Sequence, residues 1–532
     1  MLGPVEREVL AQLFAAIPEE MGAVLVRSAR SPNIRERRDA SAALFAPSGE
    51  LIAQAAHIPV HLGAMPEAVE AVRRKGARAG DLWILNDPYT GGTHLPDITV
   101  IEAVASTTIA PLRVMPGAVQ LRGPGEPPVA FAVVRAHHAD VGGERPGSMP
   151  PGAQRLEEEG VIIPPTRIGV EGLVDEDALG RIVARMRESE VRRADFAAQL
   201  AAAARGGDRW REMIARYGRR RLEDAVRDLL EYAERRTRTA LRGLRDGVYE
   251  AEDVLEGDGV TDDVLPIRVK VTVEAGRLIV DFAGTAEAAR GNVNCPIAVT
   301  RSAALFVTRC LIPEDVPTNG GVGHCVEVVA PEGCLVNARA PHAVAAGNVE
   351  TSQRIADVIM VALAQAGADV GAQGQGTMNN ILLGTDRWTY YETLGGGQGA
   401  SPGADGPSGV HVGMSNTMNT PVEMLELSLP IRVETYALRR GSGGAGAHRG
   451  GEGVVRELRV AEPCSLSLIT ERRVRSPAGA KGGSPGLPGS NRVNGEVVGA
   501  KCARELAAGD VVRIETPGGG GWGAPRAGSP AP

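Results

Sequence analysis

Glycine constrains this chain more than any other residue: 68 of its 532 positions are glycine, and they crowd into the last third. Lacking a Cβ, glycine collects where a backbone turns sharply or approaches another backbone, and it weakens long helices and strands. The glycines follow no fixed period, so a solenoid or other repeat array is not indicated. Many turns and short strands are expected instead. Gly395-Gly396-Gly397-Gln398-Gly399 reads as a tight turn, because it lacks the strand–turn–helix context of a phosphate loop.

Length calls for several units, since 532 residues are too many for one ordinary core and correspond to roughly three or four domains. Val5, Val9, Leu13, Ile17, Met21 and Leu25 recur every four residues, which predicts an amphipathic helix kinked near Pro18. Residues 43–46 and 51–53 flank Pro47-Ser48-Gly49 as a hairpin, and strands are expected at 82–85, 98–104 and 129–136. Residues 176–243 are rich in Ala and Arg with apolar spacings of three and four, so they are helical. Strands return at 267–273 and 278–282, and a helix capped near Asn348 or Thr351 runs to Ala366. Short strands such as 454–460 and 511–514 then alternate with glycine turns, before a tail expected to be mobile at its end. The expected fold is mixed α/β (α+β): an α/β region at 1–180, a helical region at 181–245, an α/β region at 246–435 and a β-rich region at 436–532.

Composition excludes some partners. The net charge of −7 offers no basic face to nucleic acid, and 3% aromatics leave few stacking platforms. Six cysteines, at 295, 310, 325, 334, 464 and 502, include no C-x-x-C pair, so a zinc ribbon is not indicated. No cationic, apolar leader opens the sequence, and no apolar run approaches the roughly 18 residues that span a bilayer. A cytoplasmic protein with free thiols and no membrane association is expected.

Five of the 9 histidines lie in the first third: His57, His61, His94, His137 and His138, all on or beside loops bounded by strands. A His-x-x-Asp unit occurs twice, as His94/Asp97 and His137/Asp140. Imidazole with carboxylate suits Zn²⁺ or Mn²⁺, and Pro96 stiffens the first unit. One such unit is better explained by an aspartate capping a turn. Two, each at a strand-to-loop position beside a glycine pair, bring metal binding level with that explanation. His138 alone reads as a packing or hydrogen-bonding neighbour. Ser31-Pro32-Asn33-Ile34-Arg35-Glu36-Arg37-Arg38-Asp39 concentrates charge, and Glu36 or Asp39 could add a carboxylate; on its own the stretch reads better as a solvated loop with weak ion pairs. The sequence contains no G-x-x-x-x-G-K-[ST] and no G-x-S-x-G. Cys295 reads as a buried structural thiol rather than a nucleophile.

In order, these stretches resemble the hydantoinase B/5-oxoprolinase family. The likeness runs through 31–39, His57-Ile58-Pro59-Val60-His61-Leu62-Gly63, 86–97, 137–143, Pro146-Gly147-Ser148-Met149-Pro150 and Glu158-Glu159-Gly160. It continues through 291–296, Pro317-Thr318-Asn319-Gly320-Gly321, 395–399 and the closing 516–523, and so covers nearly the whole chain. The resemblance implies the B-type subunit of an ATP-dependent amidohydrolase that opens a cyclic amide: a hydantoin, 5-oxoproline or another lactam. It implies a hetero-oligomer with an A-type subunit of actin/hexokinase-like fold that binds ATP and Mg²⁺. It also implies a divalent metal, Mn²⁺ or Zn²⁺, on Asp39, His94, Asp97 and His137 in the N-terminal region, with Glu36 the alternative acid and His138 the alternative histidine.

In the implied reaction the partner phosphorylates the carbonyl oxygen, and metal-bound water, its pKa lowered toward about 7, attacks the activated carbon. Glu36, Asp140 and His138 are the residues expected to act there, by orienting water or moving a proton. Glycine-rich loops are expected to bring N–H groups to the developing oxyanion. Two other readings stand beside this one: an ATP-dependent ketone carboxylase subunit, and a non-catalytic scaffold for an ATPase partner, whose mark would be lost metal ligands. The chain's modest length and the match of Glu36-Arg37-Arg38-Asp39 and His94-Leu95-Pro96-Asp97 favour the hydrolase.

Overall fold

Two-residue alternation organises the N-terminal part. In strand Ala130–His137, Ala130, Ala132, Val134 and Ala136 enter one core, while Phe131 and Val133 enter another. Strand Asp97–Val104 does the same, with Ile98, Val100 and Val104 on one face and Ile101 and Ala103 on the other. Successive side chains of a strand point to opposite faces, so apolar residues on both faces mean a sheet covered on both sides. The computed structural model describes residues 2–56, 58–107, 113–115 and 125–525 and shows this sheet with eight strands. Their order is Leu51–Ala56, Ala40–Phe45, Ala130–His137, Asp97–Val104, Asp81–Leu85, Thr166–Val170, Leu173–Asp175 and Arg113–Met115, antiparallel except for the last pair. His57 and the end of the tail, 526–532, lie outside the described residues.

Helices Pro4–Ser28 and Ser189–Tyr217 cover one face of the sheet, so the helical segment shares the N-terminal core. Helix Met65–Arg74 covers the other through Met65, Ala68, Val69 and Val72. Pro4–Ser28 continues as one helix through Pro18. It also corrects an expectation: by length and composition this helix is long and apolar enough to cross a membrane. Its stripe of Leu10, Phe14, Ile17, Met21 and Leu25 packs into the core instead, and each fully buried side chain of this kind contributes roughly 1.5–3 kcal/mol.

The middle of the chain forms a four-stranded sheet, Val326–Val329, Arg277–Asp281, Val264–Glu274 and Gly247–Glu256, with helices Ile297–Cys310 and Ser352–Gln365 in its core. A second four-stranded sheet and a five-stranded one complete the chain. The protein is mixed α/β, as expected. The expected cap of the helix after Asn348 is replaced by a π-turn, Gly347–Thr351, in which neither Asn348 nor Thr351 caps. Nor is the Gly395–Gly399 stretch a tight turn. A Cβ on Gly397 would lie 2.0 Å from the Gly451 carbonyl oxygen, and one on Gly519 would lie 2.0 Å from that of Gln398. Loops distant in sequence stack backbone on backbone, and this close approach is what excludes side chains. All six cysteines are free, and Cys295 is buried with its Sγ donating to the Gly347 carbonyl at 3.1 Å.

Candidate metal centre

Sheet register builds the site. Asp97 and His137 face each other across neighbouring antiparallel strands. On the other side Ala40 pairs with Ala136, which brings Asp39 beside His137, whose N–H donates to the Asp39 carbonyl at 3.0 Å. His94 enters through the turn before strand Asp97–Val104, closed by the Asp97 N–H on the His94 carbonyl at 3.1 Å.

His94 Nε2 and His137 Nδ1 each lie 3.2 Å from Asp97 Oδ1. One donor atom from each of the three residues lies within 4.8 Å of the others. Asp39 lines the same cavity, whose volume is about 20 Å³. All four side chains are buried. These are the four residues the family resemblance implies as ligands, and the fold brings them together.

The donor set fits a divalent cation. Both ring nitrogens of His94 and Nε2 of His137 are buried without a hydrogen-bond partner. Such atoms cost about 1–3 kcal/mol each when left unanswered. Imidazoles converging with carboxylates are what Mn²⁺ or Zn²⁺ accepts.

Asp97 is the hub. Its Oδ2 accepts from Thr93 Oγ1 at 2.7 Å and lies 3.3 Å from His61 Nε2 and 3.4 Å from Asn348 Nδ2. Burial alone would raise its pKa, but the neighbouring imidazoles of His94 and His61 and hydrogen bonds from His137 and His61 hold the carboxyl well below its usual range. Burial pushes His137 down against the upward pull of Asp97, which favours the neutral imidazole that a metal requires. His61 Nδ1 meets Ser41 Oγ at 2.9 Å, so its ring is held while Nε2 supports Asp97, an outer support typical of metal sites. Tyr391 stacks on the His137 ring with centroids 4.5 Å apart. The Arg37 guanidinium lies 4.8 Å from the Tyr391 centroid and donates to the Tyr391 carbonyl and Thr393 Oγ1, both at 2.8 Å.

Three residues expected to act at the metal are not brought to it. His138 follows His137 along a strand direction, so it points to the opposite face. There its Nε2 meets Gln199 Oε1 at 2.9 Å, its ring packs on Phe196 with centroids 4.9 Å apart, and burial pushes its pKa down to about 4. Asp140 organises its own loop, accepting from the N–H of Gly142 at 2.7 Å and of Gly147 at 2.8 Å, with Arg187 at 3.4 Å. Glu36 is partly exposed and pairs with Arg35 at 3.1 Å. None of the three lines the cavity, and no glycine does. The structure thus places Asp39 rather than Glu36, and His137 rather than His138, at the centre. The stretch 31–39 is not the solvated loop its charge suggests, since Arg37 and Asp39 are buried.

Thr93, His61, Asn348 and Tyr391 join the site without being expected there. Thr93 and His61 lie within or beside the histidine motifs. Asn348 is 251 positions from the carboxylate it meets, and no local pattern announces it.

Fold and site together define a candidate metalloprotein with its donors on the strand ends of a mixed α/β sheet. The family model described as Hydantoinase B/oxoprolinase matches residues 3–525, and the chain belongs to that family. An uncharacterized protein of Methanocaldococcus jannaschii is 37% identical over 97% of this chain and 90% of its own length. 5-oxoprolinase 1 of Arabidopsis thaliana is 36% identical over 98% of this chain but only 42% of its own length, so the chain spans less than half of that relative. Among solved structures, the ATP-dependent caprolactamase from Pseudomonas jessenii superposes with a TM-score of 0.86 at 26% identity, covering 98% of this chain and 92% of that one. A nucleotide-free acetone carboxylase shares the fold, with a TM-score of 0.84 at 17% identity over 98% of this chain and 76% of that one.

Proposed function

We propose that this chain is the B-type subunit of an ATP-dependent hydrolase of cyclic amides, with Asp39, His94, Asp97 and His137 holding a divalent cation, Mn²⁺ or Zn²⁺. The observation that carries the proposal is the set of unpartnered imidazole nitrogens on His94 and His137 around the carboxylate of Asp97. The likeness to a caprolactamase and to a 5-oxoprolinase supports a lactam as substrate class. The chain has no phosphate-loop motif of the G-x-x-x-x-G-K-[ST] type, and in this proposal ATP and Mg²⁺ belong to an A-type partner that phosphorylates the lactam oxygen.

A bound divalent cation polarises carbonyl groups and lowers the pKa of coordinated water toward about 7. The chain's own residues fix where that happens. Thr93 and His61 keep the Asp97 carboxylate in place, and Tyr391, braced by Arg37, keeps the His137 ring from swinging. The cavity of about 20 Å³ admits solvent but no lactam ring, because sites for small ligands run to about 300 Å³ or more.

The test is co-expression with an A-type subunit and measurement of ATP hydrolysis against lactams, hydantoins and ketones. ATP turnover stimulated by a cyclic amide, with the ring-opened acid as product, is expected. Stimulation by a ketone with bicarbonate, and by no amide, would overturn the proposal.

A further inference from the structure

We infer that Asn348 is the solvent-positioning residue of this centre: its Nδ2 donates to Asp97, and its Oδ1 accepts a hydrogen bond from the water used in hydrolysis. The inference deepens the proposed hydrolytic role and rests on it.

Asn348 is 3% exposed and lines the same cavity as Asp39, His94, Asp97 and His137. Its Nδ2 lies 3.4 Å from Asp97 Oδ2. An ionised carboxylate only accepts hydrogen bonds, so this contact fixes which way the amide is turned. The opposite atom, Oδ1, is buried without a partner. Other polar side chains of the lining are engaged: Thr393 with Thr417 at 2.6 Å, and Ser415 with His411 at 2.9 Å. Asn348 Oδ1 is therefore an idle neutral acceptor, distinct from the idle imidazole nitrogens.

The backbone is shaped to put it there. Asn348 belongs to the π-turn Gly347–Thr351, and the extra residue of a π-turn changes which side chains face a neighbouring element; such turns recur at functional sites. Gly347 lets the turn seat against residues 292–294: a Cβ there would lie 1.8 Å from the Asn294 carbonyl oxygen, and its N–H donates to the Asn292 carbonyl at 3.0 Å. Thr351 closes the turn on the Val293 carbonyl.

A neutral amide oxygen is a weak metal donor beside two carboxylates and two imidazoles, yet a good acceptor for a water O–H.

The test compares wild type, Asn348→Ala and Asn348→Ser in the full chain with its partner subunit. Mn²⁺ content and affinity are measured by chelator competition, and solvent access to the ion by water-proton relaxation of the Mn²⁺-loaded chain. Asn348→Ala is expected to keep its Mn²⁺ with unchanged affinity, alter the relaxation, and lose about 10- to 100-fold in kcat with KM unchanged. Asn348→Ser, which retains an oxygen acceptor, is expected to recover part of kcat. Wild-type relaxation and kcat in Asn348→Ala would overturn the inference, as would loss of Mn²⁺, which would make Asn348 a ligand. If wild type takes up no Mn²⁺, the metal proposal falls and this inference with it. If the relaxation responds while no cyclic amide is hydrolysed, the substrate class falls and the solvent role stands.

Discussion

Two of the protein's buried charge clusters contrast, and only one of them answers its charge from within. Around Arg354, on helix Ser352–Gln365, charges meet in pairs. Its Nη1 lies 3.3 Å from Asp253 Oδ2 and from Asp357 Oδ2, and its Nη2 lies 3.5 Å from Glu471 Oε2. Arg472 meets Asp253 at 2.6 Å, and Lys501 meets Glu471. Three carboxylates face three cations; the Nε atoms of Arg354 and Arg472 lack partners, but both charges are met. At the other, Asp97 stands among His94, His137 and His61, and the idle atoms include imidazole nitrogens, the ones that bind metals. Internal balance marks the first cluster as structural. The second is complete only with something added.

Breaking each cluster should therefore damage a different property. His94→Ala is expected to abolish cation binding and lower turnover by about 1000-fold or more, equivalent to about 4 kcal/mol of barrier. Stability of the metal-free chain should change little, because buried orphan atoms disappear with the ring. Metal analysis alongside denaturant unfolding checks both halves, and a variant that keeps its cation and its turnover would remove His94 from the site. Arg354→Met should do the reverse. It leaves Asp253, Asp357 and Glu471 facing only Arg472 and Lys501, and the loss of one partner from such a buried network costs about 3–5 kcal/mol. Cation affinity in whatever fraction folds should match wild type; an affinity loss there would mean the two clusters act as one.

Glu350 sharpens the contrast, because it joins the two. Its Oε1 accepts from the Met378 N–H at 3.2 Å and Asn380 Nδ2 at 3.1 Å, and Asn380 Oδ1 accepts in turn from the hydroxyl of Tyr391 at the centre. Burial, reinforced by the charge of Glu471, pushes its pKa up from 4.5 to about 8. The folded chain thus holds this proton more tightly than the unfolded one. The stabilisation is complete below about pH 4.5 and is lost as pH rises through about 8. Glu350→Gln keeps the accepting oxygen and removes the titration. Its stability should fall less than that of wild type between about pH 5 and pH 9, by an amount on the order of a few kcal/mol. Unfolding midpoints taken across that range check this; parallel profiles for variant and wild type would refute it.

The central ligands are legible through the ordered family resemblance rather than through spacing, which fits an aspartate capping a turn equally well. Val133, Arg135 and His137 alternate with Ala132, Val134 and Ala136, so the same alternation that sends His137 to the cavity sends His138 to the face covered by helix Ser189–Tyr217. Applied strictly, that two-residue period is enough to tell the two adjacent histidines apart. Asp140 misleads for a different reason: spacing identical to His94/Asp97 hides a carboxylate used by its own loop N–H groups. Asn348 and Tyr391 are not legible at all, since they reach the centre only through packing between the N-terminal sheet and the middle of the chain. The glycine stretch 395–399 is legible as a constraint but not in kind, because backbone stacking needs the partner loops to be known.

The smallest expected effect lies in the stretch 31–39, where two acids three residues apart compete for one role. Arg38 takes a left-handed backbone, φ 53°, and the next residue, Asp39, enters the cavity. Glu36 ends the preceding short helix with its side chain 23% exposed against Arg35. An exposed ion pair of this kind contributes about 0–1 kcal/mol. Glu36→Gln should therefore leave cation content and kcat at wild-type values and shift stability by no more than about 0.5 kcal/mol. Asp39→Asn, made in parallel, should weaken cation binding, because it removes a charge from a buried donor set. Cation analysis of the two variants decides between the acids. Depletion in Glu36→Gln with retention in Asp39→Asn would require the turn at Arg38 to be reversed when the cation binds, and the ligand set would then be Glu36, His94, Asp97 and His137.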